Sequence, residues 1–199
     1  MDKPNILSEI KERILASENG SVFVSADFSD ITDNAKVGVC LSRLEVDGTV
    51  RRIMRGVYEK SECNSSIAPL PDKVAHALAK NYGWTIVPCG DTALHLLGLH
   101  IQSPNVWIYA SDGTYKEYTY DDVTIKFKRT TNRETTKLSY KTALVIQAVK
   151  AFGKENIDSN IIYKIGKTLT TVEKEKMLSE ARFATSWVYE HIKKICEKT

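Results

Sequence analysis

The sequence lacks the motifs that mark several common classes of protein. Its four cysteines form no CxxC pair, and no GxGxxG, GxSxG or P-loop pattern is present. No apolar run approaches the roughly 20 residues of a membrane span, and the N-terminus lacks basic residues followed by a long apolar run. These absences argue against a zinc knuckle, a membrane protein and a secreted protein. They predict a cytoplasmic protein whose cysteines are free thiols: Cys40, Cys63, Cys89 and Cys196.

Catalytic chemistry is not indicated either. The four histidines, His76, His95, His100 and His191, have no second base or ligand at metal spacing. Two of them fall inside amphipathic helical patterns, where a structural role is the more common one. The segment PCGD, with Cys89, is typical of a strand-to-helix junction capped by Asp91 or Thr92. We therefore predict no enzyme activity, no catalytic residue, no metal, no cofactor and no small-molecule substrate.

What the sequence does contain is a globular composition with an uneven charge. The chain has 199 residues, 42% of them hydrophobic, which is enough for one good core or two small ones. The total net charge is +3, but residues 1–60 carry 9 Lys/Arg against 10 Asp/Glu, residues 61–123 carry 3 against 7, and residues 124–199 carry 16 against 8. The distribution therefore bears on function more than the total does.

The first 60 residues predict three short helices. Ile6, Ile10 and Ile14 form one apolar stripe of an amphipathic helix that ends at the segment SENGS. After the apolar run VFV, Ser25 and Asp27 are candidate caps of a brief second helix. A third helix of about four turns is predicted from the cap-type residues at 32–34 to Gly48.

A basic segment, VDGTVRRIMRGVYEK, follows the third helix. Its β-forming residues on either side of Gly56 predict two short strands joined by a tight turn. Three helices and then a basic hairpin is the order of a winged helix-turn-helix, in which the third helix enters the major groove and the hairpin rests against phosphates. For an isolated hairpin, three arginines on a solvated face would be the simpler interpretation. The preceding helices favour the DNA-binding one.

The candidate DNA contacts lie on the third helix and on the hairpin. Asn34 and Lys36 are in the first turn of the helix, where base edges are usually reached, whereas Ser42 and Arg43 are placed to meet phosphate. On the hairpin, each arginine is expected to neutralise one phosphate. The predicted hairpin contacts are Arg51, Arg52 and Arg55.

The same region carries a family resemblance. The block LSRLEVDGTVRRIMRGVYEK resembles the end of the winged-helix domain in AbiEi-like antitoxins of bacterial type IV toxin-antitoxin systems. Three later blocks, VAHALAKNYGWTIVPCGDTALHLLGL, YASDGTYKEYTYDDVTIKFKRT and KTALVIQAVKAFGKENI, resemble the second domain of a branch of these proteins. Together they cover the chain from about residue 5 to residue 195.

The resemblance implies a function. Antitoxins of this family bind inverted repeats in their own promoter, repress the operon and counteract a toxin similar to nucleotidyltransferases, with the antitoxin activity in the C-terminal domain. It implies as partners double-stranded DNA and a cognate toxin, or the nucleic-acid target of that toxin. Contact with DNA would then fall on Lys36, Ser42 and Arg43 of the helix and on the three arginines of the hairpin.

The remainder of the chain predicts a second domain. Residues 61–70 form a polar linker between a winged helix-turn-helix at 1–60 and an α+β domain at 71–199 that ends in helices. Segments predicted as strands include WTIVP, NVWIYAS, KEYTY and DVTIKFKRT, and the periodicity from Tyr140 onward is helical. The predicted fold class is therefore α+β, with an N-terminal winged helix-turn-helix followed by a mixed α/β domain.

Two further interpretations stay open at this point. A positive patch in the last third of the chain would extend the DNA footprint or face the toxin, but it is equally compatible with ordinary solvated lysines. Its candidate members are Lys126, Lys128, Arg129, Arg133, Lys137 and Lys141. As an alternative function, Asp27, Asp30 and Asp33 near the groove-facing end favour a protein-interaction module whose degenerate winged helix binds a partner protein without DNA.

Overall fold

The computed structural model describes residues 5–60, 69–130 and 137–197. The protein is mixed α and β, as the sequence predicts, and it divides into two compact units, residues 1–84 and 85–199. Each unit has its own sheet and its own helices. The predicted linker at 61–70 lies mostly outside the described residues, and the division between the units falls after Trp84.

Among its described residues, the first unit combines three helices with a three-stranded sheet. Its elements are α1 (Ile6–Ala16), β1 (Val22–Val24), a 3-10 turn (Ser25–Phe28), α2 (Asn34–Val46), β2 (Val50–Met54), β3 (Val57–Lys60) and α3 (Pro71–Tyr82). The side chain of Asn5 caps α1 and that of Asp33 caps α2, by accepting from the N–H groups of Leu7 and Lys36. The cap at Asp33 confirms the predicted start of α2 within residues 32–34.

The core of this unit follows the predicted apolar stripes. Ile10 and Ile14 of α1 are fully buried against α2 and the sheet, within one cluster that also contains Val37, Leu41 and Leu44. Burial of such side chains contributes about 1.5 to 3 kcal/mol each. The spacing of three and four residues along α2 therefore fixes which of its sides faces outward.

The predicted second helix is wrong, because the chain forms only a 3-10 turn there. The carboxylate of Asp27 accepts the N–H of Val24, which closes a single turn, and the fully buried ring of Phe28 anchors it. Asp33 already caps α2, so only four residues separate the end of this turn from the next cap. That interval is too short for an α-helix with its own hydrogen bonds.

The three strands pair antiparallel in the order β1-β3-β2. In this register Tyr58 lies between Phe23 and Arg52, and Glu59 lies between Val22 and Arg51. The hairpin turn between β2 and β3 is confirmed, and the φ of +80° at Gly56 is the left-handed backbone that glycine accepts most readily. The sequence identified VFV only as an apolar run, and it forms β1.

Helix α3 belongs to the first unit, although the sequence placed residues 71–82 in the second domain. It packs on β1 and β3 and buries Val74, Ala75 and Leu78. Pro71 stands in its first turn, and Gly83, with φ of +67°, ends it. The helix was correctly predicted from its periodicity, but periodicity does not say which sheet an apolar face covers.

The second unit contains a four-stranded sheet and five helices among its described residues. They are β4 (Ile86–Pro88), α4 (Asp91–Leu96), β5 (Val106–Ser111), β6 (Lys116–Tyr120), β7 (Val123–Arg129), α5 (Tyr140–Phe152), α6 (Ser159–Lys167), α7 (Thr171–Glu180) and α8 (Ser186–Glu197). Strand order is β4-β5-β7-β6, with β5 and β7 parallel and the other pairs antiparallel. The predicted order of strands and helices is confirmed.

Helix α5 is the centre of this unit. Val145, Ala148 and Val149 are fully buried in a cluster that receives side chains from α4 and from the three helices that follow α5. Ile165 of α6, Met177 of α7 and other residues of the same cluster are also fully buried. A helix buried on most of its circumference reads as mainly apolar, and six of the eight residues in TALVIQAV are apolar.

Candidate nucleic-acid interface

Helix α2 presents two of the predicted contact residues as exposed cations, and they differ in their partners. The Nζ of Lys36 lies 2.9 Å from a carboxylate oxygen of Asp33, so this charge is locally compensated. The guanidinium of Arg43 has no hydrogen-bond or ion-pair partner among the described residues. Asn34, the first residue of α2, is exposed. Arg43 is therefore the cation of α2 that is available to an external anion.

The hairpin arginines alternate in direction, as neighbouring residues of a strand do. Arg51 pairs across the strands with Glu59, with 2.7 Å between Nη2 and the carboxylate. Arg52 lies over the ring of Tyr58, with Cζ 5.9 Å from the ring centroid, and its Nε is 3.4 Å from the carbonyl oxygen of Met54. Arg55 stands in the exposed turn with no side-chain partner among the described residues.

Tyr58 connects the hairpin to α2. Its hydroxyl lies 3.4 Å from the hydroxyl of Ser42, while its ring contacts Arg52. Two of the predicted contact residues, one on the helix and one on the hairpin, are thus held beside the same ring. We name the exposed residues of this region the α2–hairpin surface: Asn34, Lys36, Ser42, Arg43, Arg52 and Arg55.

Arg51 does not belong to that surface. It lies on the opposite face of the hairpin with Glu59, whose side chain is only 10% exposed. A carboxylate in such a site requires a partner, since an unpaired buried charge is costly. Arg51 therefore holds Glu59 in the fold, and a role in binding phosphate would compete with that role.

The three carboxylates near α2, those of Asp27, Asp30 and Asp33, each form an ion pair with a cation. Arg13 binds Asp30 with both guanidinium nitrogens, at 2.8 and 2.7 Å, and this hydrogen bonding lowers the pKa of Asp30. The amide and the ammonium of Lys36 lower the pKa of Asp33. Asp27 forms an ion pair with Lys80 of α3. These carboxylates are therefore compensated, and they leave Arg43 and Arg55 unneutralised.

The turn between α2 and β2 contains a further ion pair. Lys11 donates to Asp47 at 2.7 Å, and Thr49 donates to it through its hydroxyl at 2.6 Å and its amide at 3.0 Å. Lys11 and then Thr49 lower the pKa of Asp47 to about 2. This ionised carboxylate fixes the end of α2 relative to α1 and to the start of the hairpin.

Two of the predicted cations of the second unit lie beside carboxylates. Lys126 lies 3.1 Å from Glu117 on the neighbouring strand, and Lys141 lies close enough to Glu173 to lower the pKa of that carboxyl, after the larger effect of Thr170. Lys128, Arg129 and Lys137 are exposed. Arg133 lies outside the described residues.

Tyr58 and Glu59 were missed by sequence reasoning. Both are buried, and each has one of the arginines as its cross-strand partner. Strand alternation separates Arg51 from Arg52, but the turn at Gly56 does not give their partners, because a β-bulge between Arg52 and Met54 shifts the register by one residue. Without that bulge, pairing outward from Met54 and Val57 would place Arg52 opposite Glu59.

Three of the four histidines take part in contacts of the surrounding fold. The ring of His95 meets Trp107 edge to face at 5.5 Å, His191 Nδ1 lies 2.7 Å from the carbonyl oxygen of Trp187, and His76 lies 3.7 Å from Asp72. Within the described ranges no group of three or more His, Cys, Asp or Glu side chains is placed to hold a metal ion. None of the helices described there is long and apolar enough to cross a membrane.

The fold and this surface define a two-unit α+β protein with cations exposed on a helix and on the adjoining hairpin. The chain belongs to a family of unknown function, DUF6088, whose model matches residues 9–177. The match includes both the α2–hairpin surface and most of the second unit. No curated protein matches the chain.

Proposed function

We propose that the first unit is a winged helix-turn-helix that binds double-stranded DNA, and that the protein is a transcriptional autorepressor and antitoxin. In this proposal α2 is the recognition helix, and β2 and β3 form the wing. The observation that carries the DNA-binding part is the pair of unneutralised guanidiniums, Arg43 on α2 and Arg55 at the hairpin turn.

The order of elements supports the first half of the proposal. A helix, a strand, a short turn, a second helix and a β-hairpin follow one another, and the first strand completes the sheet of the hairpin. In winged helix proteins this order places one helix in the major groove and the hairpin over the neighbouring backbone. Here the 3-10 turn occupies the place of the second helix.

The charge distribution supports it as well. Asp27, Asp30 and Asp33 favoured a module without DNA binding, and each of them has a cation as partner. This pairing reduces the negative charge that the three carboxylates present to DNA, which supports DNA binding over that alternative. Arg13, Lys36 and Lys80 form ion pairs within the fold. Arg43, Arg52 and Arg55, by contrast, form no ion pair with a carboxylate among the described residues.

A mobility-shift experiment tests the DNA-binding half. The duplex immediately upstream of the gene is titrated with the full chain, beside a duplex of equal length from inside the coding sequence. We expect a shift of the upstream duplex at lower protein concentration. Absence of any shift at low salt would contradict the proposal, since electrostatic contacts are strongest there.

A variant that lacks the cations of the surface supplies the residue-level test. The triple variant Arg43→Ala, Arg52→Ala, Arg55→Ala is expected to lose the shift, because charge-assisted hydrogen bonds contribute about 1.5 to 3 kcal/mol each. The matched control, Lys164→Ala with Arg182→Ala, removes exposed cations from the second unit and is expected to bind as the wild type does.

The antitoxin half rests on the family resemblance of the four sequence blocks. It is tested by expressing the adjacent gene alone and together with this chain in the same host. We expect growth to stop in the first case and to continue in the second, also when the triple arginine variant is used, because the resemblance assigns antitoxin activity to the C-terminal part. A neighbour that is harmless alone would remove the support for this half.

A further inference from the structure

The outward side of α2 is apolar at its centre. Val39 is 54% exposed and Val46 is 89% exposed, whereas the valine on the inner side, Val37, is fully buried. Together with Arg43, the exposed residues line one shallow groove on the surface of the helix. We name the uncharged ones the α2 outer face: Ala35, Gly38, Val39, Ser42 and Val46.

Gly38 at the centre of that face is not required by the fold. Glycine inside a helix costs about 0.8 to 1 kcal/mol relative to alanine. A Cβ added at Gly38 meets no atom of the described residues within 4 Å beyond its own stretch of helix, and the backbone there is ordinary helix. No neighbour among the described residues therefore accounts for the missing side chain, and its absence leaves room for a close approach from outside.

The charges beside the α2 outer face indicate which kind of molecule this face can bind. Arg43 lines the same groove and has no partner among the described residues, and Arg52 lies across the ring of Tyr58 from Ser42. An apolar centre with guanidiniums beside it is complementary to a DNA groove, in which uncharged base edges lie between two rows of phosphates. A purely apolar protein partner would leave those cations buried and unpaired, which is costly.

On the basis of the proposed DNA binding, we propose that the α2 outer face recognises thymine through its C5-methyl group. That methyl is the one apolar group that base pairs present in the major groove. Val39 contacts it by apolar burial, and Gly38 allows the helix backbone to lie close to the base edges. The centre of α2 then selects thymine through shape and apolar contact. Hydrogen bonding does not provide this selectivity, because the α2 outer face carries no side chain able to form a bidentate hydrogen bond to a base.

The test uses DNA that differs only in that methyl group. The full chain first selects a binding sequence from a random duplex library. Each thymine of the selected sequence is then replaced by deoxyuridine, which keeps every hydrogen-bonding group and removes the methyl. We expect about a fourfold loss of affinity for each contacted methyl, which corresponds to about 0.8 kcal/mol for one buried carbon group.

Two variants assign the effect to the face. Val39→Ser is expected to bind the thymine and deoxyuridine duplexes equally, whereas the control Val172→Ser, which alters an exposed valine of α7, keeps the difference. Gly38→Ala is expected to bind both duplexes more weakly while its thermal unfolding midpoint stays the same or rises, since alanine is the better helix former.

The outcomes separate the two proposals. If the library yields no enriched sequence, DNA binding itself fails. If a sequence is enriched but deoxyuridine is tolerated at every position, or if Val39→Ser still distinguishes the duplexes, methyl recognition is wrong and DNA binding stands. A Val39→Ser variant that binds DNA normally but no longer holds the product of the adjacent gene would show that the face is a protein-binding surface, which also overturns the inference.

Discussion

The α2–hairpin surface and the β6–β7 region of the second unit carry similar numbers of cations but treat them differently. On the α2–hairpin surface, Asp27 and Asp30 form ion pairs with cations of α3 and α1, so these carboxylates do not neutralise the arginines nearby. In the β6–β7 region, Lys126 is paired with Glu117 on the adjacent strand. The second unit has the larger positive excess in its sequence, while the first has three arginines on α2 and the hairpin with no carboxylate partner among the described residues. We infer that pairing within the fold, as well as the number of cations, decides how much charge is available for binding.

Charge reversal should separate the two regions most strongly. Arg43→Glu with Arg55→Glu removes two charge-assisted contacts, at about 1.5 to 3 kcal/mol each, and places carboxylates against phosphates, so it is expected to weaken DNA binding more than 100-fold. The same reversal at Lys128 and Arg129, which are also exposed, is expected to change the dissociation constant less than threefold. Both are measured by fluorescence anisotropy on the upstream duplex. Equal losses would mean that the DNA footprint includes the second unit.

Breaking the ion pair between Arg51 and Glu59 is expected to have a smaller effect, on stability more than on DNA binding. Arg51→Ala leaves a mostly buried carboxylate without this partner and is expected to lower the free energy of unfolding by about 1 to 3 kcal/mol. Its effect on DNA affinity is expected to be weaker than that of Arg55→Ala. Urea unfolding monitored by circular dichroism measures the first quantity, and anisotropy the second.

The double variant Arg51→Ala, Glu59→Gln is the control for that interpretation. It removes the unpaired charge, so part of the lost stability should return. If Arg51→Ala instead leaves stability unchanged and abolishes DNA binding, Arg51 belongs to the α2–hairpin surface after all.

The smallest predicted effect concerns the ion pair at the end of α2. Because Lys11 and Thr49 lower the folded-state pKa of Asp47 from 3.8 to about 2, its contribution to stability is present above pH 3.8 and is lost as the pH falls towards 2. Asp47→Asn should therefore lower the thermal unfolding midpoint slightly at pH 7 and by less at pH 2, where about half of the folded-state carboxyl is protonated. A difference that persists unchanged at pH 2 would contradict the assignment.

The sequence was sufficient for the elements that depend on local patterns. The stripe of Ile10 and Ile14, the cap at Asp33 and the turn at Gly56 each follow from spacing or from the conformational preference of one residue. The prediction of a second helix was wrong because Asp27 closes a single turn instead of starting a helix. Its carboxylate accepts the N–H of Val24, and this hydrogen bond stabilises the turn.

The location of the candidate site could be predicted from the sequence, but the partners of its charged side chains could not. The arginines of the hairpin are evident in the sequence, whereas the difference between Arg51 and Arg52 depends on strand register. The compensation of Asp27 by Lys80 joins residues 53 positions apart, and that of Asp30 by Arg13 crosses from one element to another. Such pairs are set by tertiary packing, which a single sequence does not display.

The salt dependence of binding to the upstream duplex tests the central claim most directly. If Arg43, Arg52 and Arg55 each neutralise a phosphate, replacing all three by alanine should reduce the slope of log K against log salt by about 2.7, at about 0.9 for each contact. The Lys164→Ala, Arg182→Ala control should keep the slope of the wild type. A wild-type chain that binds with the same slope as the triple variant would contradict the account, because the unneutralised arginines of the first unit would then not contact DNA.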